Sequence, residues 1–208
     1  MKIISHRGIW KKIKDQNKID SLLKSIDLGY GIEFDVRDYN SKIVISHDLP
    51  NKNSPKLEDL FKKINYKGVY LLINIKSDGL QAKLNNLIKK YKINNYFVFD
   101  MSIPDTLIYI KYKIKFLIRI SEFENNIELI NKSSGLWIDH FKSSRFNFDY
   151  ITSFIKYRKK IFIVSPELHK KKFINNWKIL KNIENKFPNL QIYLCTDYPN
   201  KADKFFND

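Results

Sequence analysis

Cysteine is almost absent from this sequence, and long apolar runs are missing. The only cysteine among the 208 residues is Cys195, so no disulfide can form within the chain. No apolar run approaches the roughly 20 residues of a membrane span. The opening "MKII" leaves no room for a signal peptide before the polar "SHRG". We therefore expect a cytoplasmic protein without a membrane span.

The chain also lacks a segment with the composition of an interdomain linker, and this bears on the number of domains. The chain has six glycines and six prolines, and no Gly/Ser/Pro-rich stretch divides it. Its hydrophobic content of 43% is sufficient for one sizeable core. The sequence predicts a single domain covering residues 1–208.

Acidic residues are scarce relative to basic ones. Lys and Arg number 38 against 22 Asp and Glu, which gives a formal net charge of +16. The lysines are spread over almost every segment and form no single stripe, which argues against a nucleic-acid partner. A positive field of this kind helps to gather a small anionic substrate.

Short apolar runs alternate with helical patterns along the whole chain. The predicted strands cover residues 2–5, 31–36, 42–46, 69–75, 96–100, 114–120, 135–139, 160–165 and 191–195. The predicted helices cover residues 17–29, 54–64, 80–91, 104–112, 122–131, 147–158, 173–186 and 199–206. Ser54 is the expected N-cap of the second helix, with Pro55 at its first position.

The second and third strands are too close in sequence for a helix to lie between them, so they should form a hairpin. Counting this hairpin as one unit leaves eight strand–helix units in about 200 residues. This number favours a small (β/α)8 TIM barrel of the α/β class, with an open doubly wound sheet as the alternative. The barrel is preferred because polar residues recur where nearly every strand ends.

The segment "GIEFDVR" (31–37) places two carboxylates on one face of a strand. Glu33 and Asp35 are two positions apart, so their side chains point the same way. Like charges repel unless something positive lies between them. A metal ion, a histidinium or a Lys/Arg pair would meet that need.

Ionisable and polar side chains gather at the predicted strand ends, where barrels carry their active sites. So many ionisable groups at one end of a barrel are unfavourable unless they bind a ligand or a metal. The first four units offer histidines for proton transfer, carboxylates for a metal, and cations for a phosphate. Four residues near these ends are expected in the wall of the barrel or on its surface, namely Trp137, His140, Glu167 and His169. The strand-end groups are His6, Arg7, Glu33, Asp35, His47, Asp48, Asn74, Lys76, Asp100, Arg119, Asp139, His140, Ser165, Glu167, Thr196 and Asp197.

Three of these motifs resemble the signatures of the glycerophosphodiester phosphodiesterase family, in the same order. They are "SHRG" (5–8), "EFDVR" (33–37) and "SHD" (46–48). The segment "NIK" (74–76) stands where that family has Glu-x-Lys. "CTDYP" (195–199) resembles its last strand and "NKIDSLLKSIDLG" (17–29) its first helix. The resemblance extends over nearly the whole chain, although only the first three motifs are specific.

The resemblance implies a (β/α)8 barrel that hydrolyses a phosphodiester of a hydroxyl-bearing alcohol such as glycerol. It implies proton transfer by His6 and His47 and one divalent cation. We expect Glu33 and Asp35 to bind this cation, and their hard oxygen ligands favour Mg²⁺ or Ca²⁺. Chemistry agrees, because an anionic ester with a poor leaving group needs charge neutralisation and two proton transfers. Arg7 and Lys76 are expected to hold phosphate oxygens. Arg119 is expected either to join them or to pair with Glu122.

Two departures from the family pattern bear on the site. Asn74 replaces the third metal carboxylate, and Asp100 at the next strand end is expected to compensate. The capping subdomain that typical members insert after the His-Asp motif is missing, since only 26 residues separate His47 from Asn74. The alternatives are a phosphomonoester hydrolase or lyase on the same barrel, or a catalytically weakened barrel that binds a phosphorylated ligand.

Overall fold

A computed structural model of the protein describes residues 1–64, 68–142 and 146–207. The strands are β1 (Lys2–His6), β2 (Gly31–Tyr39), β3 (Lys42–Ile45), β4 (Leu71–Ile75), β5 (Tyr96–Phe99), β6 (Leu117–Ile120), β7 (Gly135–Ile138), β8 (Lys160–Val164) and β9 (Ile192–Thr196). The α-helices are α1 (Ile19–Asp27), α2 (Leu57–Lys63), α3 (Gln81–Lys90), α4 (Ile103–Lys111), α5 (Ile127–Lys132), α6 (Phe148–Thr152), α7 (Ile174–Lys186) and α8 (Pro199–Asn207). The chain has the predicted (β/α)8 fold.

Two compact units make up the chain, and each is described by itself. The N-terminal unit contains Ser5–Phe116, and the C-terminal unit contains Met1–Ile4 and the chain from Leu117 onward. The prediction that residues 1–208 form one domain stays a prediction.

The N-terminal unit is built on the parallel strands β2, β4 and β5. Asp35 lies opposite Asn74 in the β2–β4 register, and Asn74 lies opposite Phe99 in the β4–β5 register. The backbone N–H of Arg7, directly after β1, donates to the carbonyl of Glu33 at 2.9 Å. The ends of β1, β2 and β4 therefore lie side by side, which brings their polar residues together.

The C-terminal unit contains the parallel neighbours β6, β7, β8 and β9. All residues of β7 and β9 are buried, as continuous apolar strands covered on both faces should be. Trp177 of α7 is fully buried and contacts the rings of Phe205 and Phe206 of α8. These contacts hold the last two helices against each other.

The predicted hairpin is confirmed, whereas the start of the helix after it is wrong. β2 and β3 pair antiparallel from Val36–Ile45 to Tyr39–Lys42. The helix begins at Leu57, because the carbonyl of Pro55 accepts from Ile45 N–H and Lys56 bridges to Val44. These extended contacts with β3 keep residues 54–56 out of the helix.

Two later helices are also shorter than predicted. The helix predicted from residue 122 begins at Ile127, because Asn126 caps it by accepting from the N–H of Leu129. The carboxylate of Glu122 instead accepts from backbone N–H groups of residues 141 and 142. The predicted helix at 147–158 is α6 followed by a 3₁₀ turn, Ser153–Tyr157. Among the described residues, no helix has the length and apolar character to cross a membrane.

Candidate functional site

A tight turn after β1 positions the first two candidate residues. Arg7 and Gly8 both have positive φ, +59° and +85°. A Cβ on Gly8 would lie 2.6 Å from the backbone of Ser21 in α1, so only glycine fits here. The N–H of Ile9 also donates to the carbonyl of Ser21. The helix thus presses directly on the turn that carries His6 and Arg7.

Asp35 is fully buried, and cationic and amide groups surround it. Its Oδ2 lies 2.9 Å from Nε of Arg7 and accepts a hydrogen bond of 2.8 Å from Nδ2 of Asn17. Its Oδ1 lies 3.7 Å from Nζ of Lys76. Arg7 and Lys76 therefore supply part of the positive charge that the carboxylate pair requires.

Glu33 is as deeply buried as Asp35, but among the described residues its contacts to positive and donor groups are fewer and longer. Its Oε1 accepts from Nδ2 of Asn74 at 3.1 Å, and its Oε2 lies 3.9 Å from Nε2 of His6. Burial, with a smaller contribution from the charge of Asp35, raises the pKa of Glu33 from 4.5 to about 7. The carboxylate form of Glu33 is therefore unfavourable without a further positive charge.

Three buried oxygen atoms in this cluster have no hydrogen-bond donor among the described residues. They are Oε2 of Glu33, Oδ1 of Asp35 and Oδ1 of Asn74. A buried oxygen without a donor is unfavourable unless something positive contacts it. Oxygen atoms of carboxylates and amides are the ligands that Mg²⁺ and Ca²⁺ prefer. The donor set therefore fits a hard divalent cation, even though no cluster of three or more His, Cys, Asp or Glu suited to a metal occurs in the described chain.

Asp100 follows β5 at a left-handed position, φ +72°. Its Oδ2 accepts from Nζ of Lys76 at 2.9 Å. Lys76 is thus held between two carboxylates, those of Asp100 and Asp35. The structure brings Asp100 to the predicted site through Lys76, and its participation as a metal ligand stays a prediction.

His47 lies on the segment that leaves β3, at the same end of the unit. Its Nδ1 is 2.8 Å from Oδ1 of Asp48, and its carbonyl accepts from Nε of Arg37 at 2.9 Å. A hydrogen bond from His47 lowers the pKa of Asp48, and the charges of Arg7 and Arg37 lower it further. Because a carboxylate only accepts hydrogen bonds, Nδ1 of His47 donates in this contact.

Arg119, predicted to contact phosphate, lies in the C-terminal unit. Its Nε and one terminal nitrogen both bind the carboxylate of Glu124, the second at 3.0 Å. Its acidic partner is therefore Glu124, and Glu122 instead accepts from backbone N–H groups. The role of Arg119 toward a substrate stays a prediction.

The other polar strand ends of the C-terminal unit make contacts of their own. Glu167 accepts from the hydroxyls of Ser165 and Thr196 and from Asp197 N–H, and burial raises its pKa. Asp139 accepts from Nε2 of His169 at 2.6 Å. The ring of His140 is buried against Phe146 and Tyr150. These contacts agree with the wall positions expected from the sequence.

Two residues that contact the site were missed by the sequence reasoning. Asn17 both donates to and accepts from Asp35, with distances of 2.8 and 3.2 Å, and has φ +59°. Gln16 accepts from a terminal nitrogen of Arg7 at 3.2 Å. The only local signal was an asparagine just before a helix, which is common at turns for other reasons. Their role depends on how α1 docks, and this contact is not visible in the sequence.

Comparisons with solved structures agree with the fold and with the resemblance. A glycerophosphodiester phosphodiesterase from Agrobacterium tumefaciens matches with a TM-score of 0.72 and 15% identity, over 100% of both chains. Two such enzymes from Parabacteroides distasonis match over 99% of this chain, with TM-scores of 0.67 and 0.66 and identities of 17% and 12%. The matched regions span 96% and 86% of those two enzymes, respectively. The likeness is confirmed along the full chain, but identities this low establish the fold alone.

Comparison with protein-family models and with curated proteins finds no match. The chemistry must therefore be argued from the residues of the site.

Proposed function

We propose that this protein is a cytoplasmic, metal-dependent phosphodiesterase that hydrolyses a small glycerophosphodiester-like substrate. The observation that carries the proposal is the set of three buried oxygens without donors, on Glu33, Asp35 and Asn74, beside two cations and a histidine. The three oxygens suit a divalent cation, and that cation together with Arg7, Lys76 and the histidine suits an anionic phosphodiester. The likeness to the glycerophosphodiester phosphodiesterases supports the choice of substrate class.

Glu33, Asp35 and Asn74 would hold the cation. When bound, a divalent ion would supply Lewis acidity toward a phosphate or hydroxyl oxygen of the substrate. Asn17 keeps Asp35 in place from the other side through two hydrogen bonds. Lys76 and Arg7 contribute fixed positive charge for the non-bridging oxygens of the phosphate.

The two histidines take the proton-transfer steps. Nε2 of His47 accepts the proton of the attacking hydroxyl, either of water or of the substrate, while Asp48 holds the opposite ring nitrogen. The attacking oxygen forms a bond to phosphorus as the bond from phosphorus to the leaving oxygen breaks. His6 donates a proton from Nε2 to that leaving oxygen, so that the product leaves as a neutral alcohol. Where the attacking hydroxyl is the substrate's own, the other product is a cyclic phosphate, which water opens in a second step with the roles of the histidines reversed. Where water attacks directly, the two histidines are reset by exchanging one proton with water.

A second candidate is a barrel that binds a phosphorylated ligand without hydrolysing it. The observation in its favour is that Asp35 and Asp100 already pair with Arg7 and Lys76, so the site is partly neutralised without a metal. The two histidines weigh against it, because binding alone requires neither an acid nor a base.

Turnover of a panel of phosphodiesters separates the two candidates. The protein is first stripped with a chelator and then assayed with and without added Mg²⁺, Ca²⁺ or Mn²⁺. The panel contains glycerophosphodiesters, a generic aryl phosphodiester and the matching phosphomonoesters. Metal-dependent release of alcohol from a diester is the expected result. Binding of the diesters without release, in every metal, would favour the second candidate.

A further inference from the structure

Two loops beside the site expose aliphatic side chains at their tips. Ile13, after β1, is 78% exposed, and Leu49, after β3, is 85% exposed. These are the two highest exposures among the large hydrophobic side chains of the described chain. Single exposed aliphatics are common on protein surfaces. Here, however, the two extremes fall on the two loops that follow the candidate catalytic histidines.

The first loop has the composition of a membrane-interface segment. It reads "IWKKIKD" over residues 9–15, and Lys11, Lys12 and Lys14 are all exposed. The indole N–H of Trp10 donates to the carbonyl of His6 at 3.1 Å, which fixes the base of the loop beside the site. Tryptophan and lysine flanking an aliphatic tip are enriched where proteins meet the headgroup layer.

The base of the second loop is linked to the base of the first through Asp35 and Arg7. The N–H of Ser46 donates to the carbonyl of Asp35 at 3.0 Å, and the carboxylate of Asp35 lies 2.9 Å from Nε of Arg7. Gln16, at the end of the first loop, hydrogen-bonds to the same Arg7. The hydroxyl of Ser46 donates to the carbonyl of Asp48 at 2.9 Å and tightens the turn that projects Leu49.

We propose that the N-terminal unit docks on an anionic lipid surface through the tips of these loops, with Ile13 and Leu49 inserted between headgroups. The charge complementarity favours this occupant, since Lys11, Lys12 and Lys14 and the net charge of +16 attract anionic lipids. The same charge disfavours a second copy of the chain. The docking surface goes beyond the proposed hydrolysis and does not depend on it.

Co-sedimentation of the full-length protein with sucrose-loaded vesicles tests the docking. Vesicles of phosphatidylcholine with one-third phosphatidylglycerol are compared with phosphatidylcholine alone, at physiological and at high ionic strength. Binding to the anionic vesicles that weakens with salt is expected, because surface charges are screened within a Debye length of about 8 Å at physiological salt. Trp10 is half-buried whereas Trp137 and Trp177 are buried, so quenching of tryptophan fluorescence by brominated lipid reports mainly Trp10.

Matched variants separate docking from general surface effects. Ile13→Asp with Leu49→Asp should lower vesicle affinity about a hundredfold, since both aliphatic contacts are lost. Leu28→Asp is the control, because Leu28 is 54% exposed in the same unit but lies at the end of α1. Lys11, Lys12 and Lys14 changed together to Gln should also lower affinity about a hundredfold. Lys24, Lys83 and Lys89 changed to Gln make the matched control.

Each outcome decides for or against the docking surface. Equal binding of the loop variants and their controls would overturn it, and so would failure to bind anionic vesicles at physiological salt. Equal binding to neutral vesicles would remove the role of the lysines and overturn the anionic partner. Circular dichroism confirms that each variant is folded. His6→Ala should bind vesicles like the natural sequence, so the result stands apart from the fate of the proposed hydrolysis.

Discussion

At the residue scale, the site depends on how a few buried groups share charge. Glu33 and Asp35 lie side by side on β2, and only Asp35 has a close cation in Arg7. The sequence correctly predicted that the pair needs positive charge, and a Lys/Arg pair was among the sources that it offered. It could not predict which groups contact which carboxylate, because Asn17 binds Asp35 and Asn74 binds Glu33 although the partners are distant in sequence.

Replacing either histidine should remove one proton transfer. We expect His6→Ala and His47→Ala each to lower turnover by at least about a hundredfold, the usual scale for a lost general acid or base. Steady-state kinetics on the best diester measures this. His169→Ala, in the C-terminal unit, is the matched control and should retain turnover. A histidine variant with near-natural turnover would reassign that histidine to structure.

Asn17 should position Asp35 by two hydrogen bonds from a left-handed backbone. Asn17→Gly keeps the backbone relaxed but loses both bonds, and should lower stability by about 1–3 kcal/mol, as for a buried group left without a partner. Asn17→Ala should lower stability further, because alanine is also strained at a φ of +59°. Urea denaturation of both variants measures the difference. Equal stability of the natural protein and Asn17→Gly would contradict the role.

The raised pKa of Glu33 predicts how the metal-free protein responds to pH. Between 4.5 and about 7, the folded state holds a proton on Glu33 that the unfolded state releases. This contribution to stability is complete below pH 4.5 and is lost as pH rises through about 7. Unfolding in excess chelator at pH 5 and pH 8 measures it. Since other groups titrate too, the comparison is with Glu33→Gln, which should lack this part of the pH dependence.

At the element scale, the strands were predictable and several helix starts were not. Buried strands show as apolar runs, so the nine strands found in the described residues were all located from the sequence. Helix starts depend on competing partners. The carbonyl of Pro55 accepts a hydrogen bond from β3, and the carboxylate of Glu122 accepts from backbone N–H groups of residues 141 and 142, which are 19 and 20 positions further along the chain. Such competition is tertiary and leaves no local trace in the sequence.

The contact between Gly8 and α1 packs a turn against a helix, and its contribution to stability can be tested. Gly8→Ala should destabilise the fold by about 3 kcal/mol or more, because it adds a backbone clash to left-handed strain. Gly29→Ala is the matched control, since Gly29 has φ +84° with nothing within 4 Å of the added carbon. That variant should lose only about 1 kcal/mol. Thermal unfolding of the two variants gives the comparison, and equal losses would mean that the packing against Ser21 is unimportant.

At the scale of the whole molecule, the +16 charge and the site act on the same kind of ligand. The field attracts anions from solution, and the fixed groups of the N-terminal unit select among them. The fold class and the candidate residues were within reach of sequence patterns. The two compact units were not, because their division follows contacts rather than composition.

The cation proposal predicts two opposite changes in metal affinity. Asp100→Asn should weaken binding roughly ten- to a hundredfold if Asp100 supports the site directly or through Lys76. Asn74→Glu should tighten it by restoring an anionic ligand, without necessarily raising turnover. Calorimetric titration with Mg²⁺ or Ca²⁺ measures both. Unchanged affinity in the two variants would leave Glu33 and Asp35 as the only protein ligands of a bound cation.

The position of the candidate metal ligands and both candidate catalytic histidines in the first unit has a consequence for synthesis. From His6 to Asp100, every candidate residue of that unit is translated before β6 begins. At 5–20 residues per second, the residues from Leu117 to Asp208 take roughly 5–20 seconds to add after the first unit. The charged groups of the first unit are therefore synthesised before the second unit is finished, and the nascent chain carries them without it for that time.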